Sequence, residues 1–248
     1  MTLDLIALNK EFEKSSATAL IQWALKTFGE KIALSCSFGA EDVTLIDILT
    51  KFDSKIRIFT LDTGRLNEET YETMDKIRRK YDVQIHSYFP KSESVESLER
   101  LKGFYSFRES VENRKECCAI RKVEPLGRAL QGMDAWITGL RREQSVTRTD
   151  LQKIEPDGSH AGLYKINPLA DWSEKDIWNY IQKNGVPYNR LHDMGYPSIG
   201  CAPCTRAVKP GEDIRAGRWW RENPEHKECG LDLKPKPKQD KAGSCELF

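Results

Sequence analysis

The tightest constraint on this chain is an alternation of short apolar runs with stretches of helical periodicity. Ser16 to Phe28 carries Ala19, Leu20, Trp23, Ala24 and Phe28 at helical spacing, and Lys31 to Ser37 (KIALSCS) follows as a short buried strand. Asp42 to Phe52 is apolar at Val43, Leu45, Ile46 and Leu49, which predicts a helix laid on a sheet. Ile56 to Leu61 reads as the next strand and Glu68 to Tyr81 as the next helix. Val83 to Tyr88 and Ala135 to Thr138 read as further β segments, with helices over Ser92 to Leu101 and Glu116 to Leu130. Ser173 with Asp176 predicts a capping box opening a helix to Lys183, and Asn184-Gly185 a left-handed stop. Strands that alternate with helices need right-handed crossovers, which yield a parallel sheet covered by helices. The expected class is therefore α/β, a Rossmann-like parallel sheet flanked by helices, with ligands beyond the carboxyl ends of the strands.

After Cys204 the character changes. Residues 205–228 are rich in Arg, Lys, Trp and Pro with weak periodicity, and Leu233 to Phe248 is Lys/Pro-rich and expected to be mobile. The division expected is an α/β body over 1–204 and a C-terminal arm and tail over 205–248. No internal repeat is visible.

Charge removes some function classes. Across 248 residues, 39 basic and 38 acidic side chains leave a formal net charge of +1, so there is no global field of the kind nucleic-acid binders carry. Asp4, Lys10 and Glu11 interrupt the N-terminus and argue against a signal peptide. No apolar run approaches the roughly 18–20 residues that span a bilayer. The expectation is a soluble cytoplasmic protein with neither nucleic-acid nor membrane partners.

In a reducing compartment, seven cysteines, an odd number, point to metal binding or chemistry rather than to a disulfide framework. Cys36, inside IALSCSF, reads as a packing residue. Cys117 and Cys118 are adjacent, and Cys201 and Cys204 form a CxxC. Four thiolates suit zinc or an iron–sulfur cluster. Adjacent cysteines are awkward around one tetrahedral ion, whereas a four-iron, four-sulfur cubane offers each thiolate its own iron. Spacing alone supports only a metal site. Cys229, in KECGL, lies in a polar segment outside both pairs, the setting of a reactive thiol or of an idle surface one.

Other segments favour an anionic ligand. Ser35 to Asp42 (SCSFGAED) follows the first strand and opens a helix. Ser35, Ser37, Phe38 and Gly39 there read as a phosphate loop, with backbone N–H groups at the positive end of the helix. Leu61, Gly64 and Arg65 sit in LDTGR at the end of the second predicted strand. Gly139 to Arg148 holds Arg141, Arg142 and Arg148, while Arg215, Arg218, Trp219 and Trp220 stand in GEDIRAGRWW. Arginine suits bidentate phosphate or sulfate recognition, although scattered arginines more often form a solvated face. Lys122 falls one helical turn after Cys118.

Taken in order, SCSFGAED, LDTGR, ECCAIRK, GLRREQSVTR, GCAPC and ECGLD resemble the assimilatory adenosine 5′-phosphosulfate (APS) reductases, across roughly residues 30–232. The resemblance implies an adenine nucleotide alpha-hydrolase-like fold and one 4Fe–4S cluster on Cys117, Cys118, Cys201 and Cys204. It places Ser37, Leu61, Gly139, Lys122, Arg148, Arg215 and Arg218 on the substrate and makes Cys229 the nucleophile. It further implies APS as substrate, an S-sulfocysteine intermediate and an external thioredoxin or glutaredoxin-type donor. The related 3′-phospho-APS (PAPS) reductases typically lack the cluster cysteines. Asp232 replaces the histidine that usually ends the tail motif. Cys245 is a further thiol that could pair with Cys229. Two rival classes, an ATP pyrophosphatase-type tRNA thiolation enzyme and a cluster-bearing redox sensor, fit less well. The loop lacks the SGGxDS double glycine of the first, and no DNA-binding motif supports the second.

Overall fold

The computed structural model describes residues 2–145 and 148–223; Cys229, Asp232, Cys245 and the Lys/Pro-rich segment from Leu233 onward lie outside the described residues. Strands β1 (Ile32–Ser35), β2 (Arg57–Leu61), β3 (Ile85–Tyr88), β4 (Ala135–Ile137), β5 (Ile154–Pro156) and β6 (Tyr164–Ile166) form one sheet in the order β3-β2-β1-β4-β6-β5. All neighbours run parallel except β5 with β6. The expected parallel sheet is present and carries one antiparallel pair, β5 with β6, at its edge. That edge hairpin escaped the sequence reading because each of its strands has only three residues, too few to show a period.

Helices α1 (Leu5–Phe12), α2 (Ala17–Phe28), α3 (Ala40–Thr50) and α8 (Glu174–Asn184) share the larger core with β1, β2, β4 and β6. Ile32, Leu34, Ile58 and Ile137 point to that core, while Ala33, Phe59 and Trp136 face the opposite side and meet Leu126, Ala129 and Leu130. This is the period-two alternation of a sheet buried on both faces. Helices α4 (Glu68–Tyr81) and α5 (Ser92–Lys102) complete the layers. The predicted caps are present: Ser173 and Asp176 bond reciprocally, and Gly185 ends α8 at φ 58°. Helix α1 was not foreseen. It protects the open side of β5, where the Asn9 side chain both donates to the Ile154 carbonyl and accepts from its N–H.

The helix expected over Glu116 to Leu130 starts earlier and is interrupted. It runs as α6 (Val111–Cys118), a π-helical turn (Ala119–Val123) and α7 (Glu124–Ala129). Pro125 supplies the cause: it has no N–H for the Arg121 carbonyl and its ring would crowd that carbonyl in a regular helix. Widening the turn relieves the clash, and the Glu124 N–H reaches back five residues to Ala119. Among the described residues no helix is long and apolar enough to cross a membrane.

One buried carboxylate ties three helices together. Asp47 of α3 accepts from Tyr81 of α4 at 2.9 Å, from Tyr180 of α8 at 2.6 Å and from Lys51 at 2.6 Å. Burial pushes its carboxyl up, but these three donors prevail and hold it below the ordinary value. Asp47→Asn is expected to cost about 2 kcal/mol of stability in denaturant unfolding at neutral pH. Because the folded group titrates low, its contribution is complete above about pH 4, and the gap to wild type closes as the pH falls further.

Candidate active site

The carboxyl ends of β1, β2 and β4 open into one cleft of about 250 Å³. It lies where the chain leaves β1 toward β2 on one side and later returns to β4 on the other, the switch point of such a sheet. Of the candidate residues, Ser35, Ser37, Gly39, Leu61, Lys122, Gly139, Arg148, Arg215 and Arg218 all line this cleft. Phe38, Gly64 and Arg65 do not. Phe38 turns through φ 61° and is wholly buried in the large core, so its turn shapes the loop while its ring packs away from the cleft. Gly64 sits against the Arg121 guanidinium. Arg65 pairs with Glu99 at 3.0 Å, donates to the Phe104 carbonyl and covers the Phe107 ring, on the cysteine side of the site.

The loop before α3 is organised by a carboxylate that sequence reasoning passed over. Asp42 accepts from the Ser37 N–H at 2.6 Å and from its hydroxyl at 2.7 Å. Burial pushes the Asp42 carboxyl up to about 6, against the Ser37 hydrogen bonds, which favour the charged form. Gly139 is equally constrained, since a Cβ there would stand 2.6 Å from Asp42 Oδ1 and 2.9 Å from Glu41 Cβ. The signal for Asp42 was its place in the first turn of α3, the usual position of a helix-dipole carboxylate.

The three arginines after β4 divide by role. Arg141 is buried and donates to Glu41 at 2.9 Å and to the Trp172 carbonyl. Arg142 holds Glu13 of the N-terminal segment through two bonds of 2.7 and 2.9 Å. Arg148 stands in the cleft, 2.7 Å from Gln144.

A second cavity adjoins the cleft and is lined by all four paired cysteines, Cys117, Cys118, Cys201 and Cys204. The π-helical turn presents Arg121 and Lys122 to it from one side, and the Gly200–Cys204 loop closes the other. Lys122, Cys201, Arg218 and Trp219 line both cavities. Burial raises the Cys201 thiol, yet Lys122, the Thr63 hydroxyl at 3.3 Å and Arg218 outweigh it and hold the group below the ordinary thiol value. Burial pushes Cys117 up, and Cys204 up to about 11. Four sulfurs flanked by cations suit an anionic thiolate-bound centre. Among the described residues, no three His, Cys, Asp or Glu are arranged to hold a single ion.

The segment after Cys204 folds back over this junction. Thr205 bridges to Arg218, the Trp219 N–H reaches the Cys204 carbonyl, and the Arg206 N–H reaches Gly217. Buried Arg114 of α6 grips Glu222 through bonds of 2.9 and 2.7 Å and lies over the Trp219 ring. Trp219 was visible in the sequence only as part of an Arg/Trp-rich stretch, and His192, which also lines the cleft, gave no signal there.

Asp42 yields a pH test. Its folded carboxyl titrates above its unfolded value, so the buried charge costs stability above about pH 6 and costs nothing below the unfolded value. Denaturant unfolding of Asp42→Asn is expected to lose more than about 1 kcal/mol of the gain that wild type shows between about pH 7.5 and 5.

Residues 31–207 match the family model described as the phosphoadenosine phosphosulfate reductase domain. The chain is 54% identical over 202 residues to the adenosine 5′-phosphosulfate reductase of Allochromatium vinosum, covering 82% of this chain and 78% of that protein. It is 49% identical over 218 residues to the adenosine 5′-phosphosulfate reductase of Burkholderia cepacia, covering 87% of each. Among solved structures, the phosphoadenylyl-sulfate reductase of Candida auris in a phosphate complex superposes with a TM-score of 0.72 at 30% identity, over 84% of this chain and 99% of that one. The match runs from the foot of β1 through the CxxC loop, the stretch that supplies most of the lining of both cavities, and the chain belongs to the phosphoadenosine phosphosulfate reductase family.

Proposed function

We propose that this protein is an oxidoreductase of sulfate assimilation that reduces APS to sulfite and AMP. One observation carries the reading: a cleft at the sheet switch point shares Lys122 and Arg218 with a cavity lined by four cysteines. The relatives named adenosine 5′-phosphosulfate reductase support the substrate. The cysteine quartet favours APS over PAPS, following the family resemblance.

The thiolate of Cys229, which lies outside the described residues, attacks the sulfur of APS. A sulfur–sulfur bond forms, the sulfur–oxygen anhydride bond breaks, and AMP leaves with the electron pair. Attack by one anion on another needs positive charge in a desolvated site, and Lys122, Arg148, Arg215 and Arg218 supply it from the cleft wall. The loop at the positive end of α3 borders the cleft on the side the phosphate would take, with its Ser37 N–H and hydroxyl held by Asp42. A thiol of a thioredoxin or glutaredoxin-type donor then attacks the Cys229 sulfur and expels sulfite with its electron pair. The donor's second thiol clears the mixed disulfide, so the dithiol is oxidised as sulfur passes from the sulfate to the sulfite level. A reducing cytoplasm suits that donor.

Cys117, Cys118, Cys201 and Cys204 would hold one 4Fe–4S cluster, a reading that rests on their donor chemistry and shared cavity. When bound, the cluster would brace the two cysteine segments and set the field beside Lys122.

Anaerobically purified protein is expected to release sulfite from APS in the presence of a dithiol donor, and far more slowly from PAPS. Lack of APS-dependent sulfite would refute the activity. Cys229→Ser should bind APS yet acquire no label from ³⁵S-APS, and a labelled variant would remove that thiol from its role. Lys122→Ala should lower kcat/KM by about 100-fold, the usual loss of an oxyanion-type donor. Iron and acid-labile sulfide should each approach about four per chain, and Cys201→Ser should lower both.

A further inference from the structure

Arg218 is mounted in a slot. A Cβ placed on Gly200 would come 2.5, 2.6 and 2.8 Å from the Cζ, Nη2 and Nη1 of Arg218, so the guanidinium lies against the bare Cα of that glycine. Another side of the slot is the Trp219 ring, whose centroid is 4.6 Å from the guanidinium carbon. At the rim, Arg218 Nη1 donates to the Ile199 carbonyl at 2.8 Å. The slot's own backbone is pinned. The Gly200 carbonyl accepts from Asn67, the Ala202 N–H reaches the Arg65 carbonyl, and the Trp219 N–H reaches Cys204. Trp219 holds a left-handed φ of 41°, a strained conformation for a bulky residue that persists only when its surroundings impose it.

We infer that Gly200 is a positioning residue for the reductase reaction: its missing side chain, with the Trp219 ring, holds the Arg218 guanidinium at the boundary between the substrate cleft and the cysteine cavity. Gly200 is not in the left-handed region, so backbone conformation does not demand a glycine there. What demands it is the room taken by the guanidinium. A planar, aromatic-stacking cation fits such a slot, whereas a lysine ammonium would neither stack nor reach the rim carbonyl in the same way. Because the clashing atoms are the far end of a side chain, alanine at 200 is accommodated by moving Arg218 rather than by unfolding the loop.

This inference rests on the proposed activity, and a double-mutant cycle tests it in the same sulfite-release assay. Gly200→Ala is expected to lower kcat/KM by about 30- to 100-fold, the scale of an ångström-sized misplacement of a reacting-site group. In an Arg218→Ala background the same substitution should change kcat/KM by less than about 3-fold, since the group it displaces is already gone. Thermal unfolding of Gly200→Ala should not fall below that of wild type, and Gly127→Ala, where a Cβ meets open space within α7, should unfold at or above it. Wild-type-like kcat/KM in Gly200→Ala, or an equal loss in both backgrounds, would overturn the assignment; the second result would point instead to the neighbouring Cys201. Absence of sulfite from wild type and Gly127→Ala would refute the activity itself, a different failure.

Discussion

Everything at the site depends on β1 pairing in parallel with β2 on one side and β4 on the other. The ladders join Leu34 to Ile58 and to Ile137, which brings the ends of three strands level. The chain must then diverge, toward α3 after β1 and toward the Gly139 loop after β4, and a cleft opens between the two departures. The hydrogen-bonded register therefore decides which residues meet. Ser35, Leu61 and Gly139 are far apart in sequence but emerge at one edge of one sheet.

The second organising principle is the separation of cations into those that hold and those that face the cleft. Arg114, Arg121 and Arg141 are buried, and each spends its guanidinium on a carboxylate: Glu222, Glu99 and Glu41. A buried guanidinium without such a partner would carry a large desolvation cost, so these pairs are better understood as fixing geometry than as adding net stability. They link α6 to the Trp219 segment, the π-helical turn to α5, and the loop after β4 to α3. Lys122, Arg148, Arg215 and Arg218 line the cleft. Cys201 stands beside two of them, and Lys122 and Arg218 help to hold its thiol below the ordinary value.

The local motifs were readable because their physics is local. The capping box of Ser173 and Asp176, the glycine stop at 185 and the burial of Cys36 at the end of an apolar strand each follow from a few adjacent residues. The π-helical turn, by contrast, needed the clash of Pro125 with a carbonyl four positions back, which a helical pattern in apolar residues does not report. The β5–β6 hairpin failed for the opposite reason: three-residue strands are defined by their partners rather than by their own composition. Phe38 and Arg65 share sequence neighbourhoods with residues that line the cleft, but each is turned away from it. The left-handed turn at Phe38 drives its ring into the core, and Glu99 with the Phe107 ring draws Arg65 toward the cysteines.

By itself, then, the sequence determined the α/β alternation, the loop that opens α3, the two cysteine pairs and the order of the basic segments, since all of these are written in neighbouring residues. Tertiary structure alone decided that the cysteine pairs share a cavity, that this cavity touches the cleft through Lys122 and Arg218, and that Gly200 and Trp219 give Arg218 its seat. These are contacts between segments tens of residues apart, set by strand order and by the space each side chain leaves to its neighbour, and no local pattern encodes them.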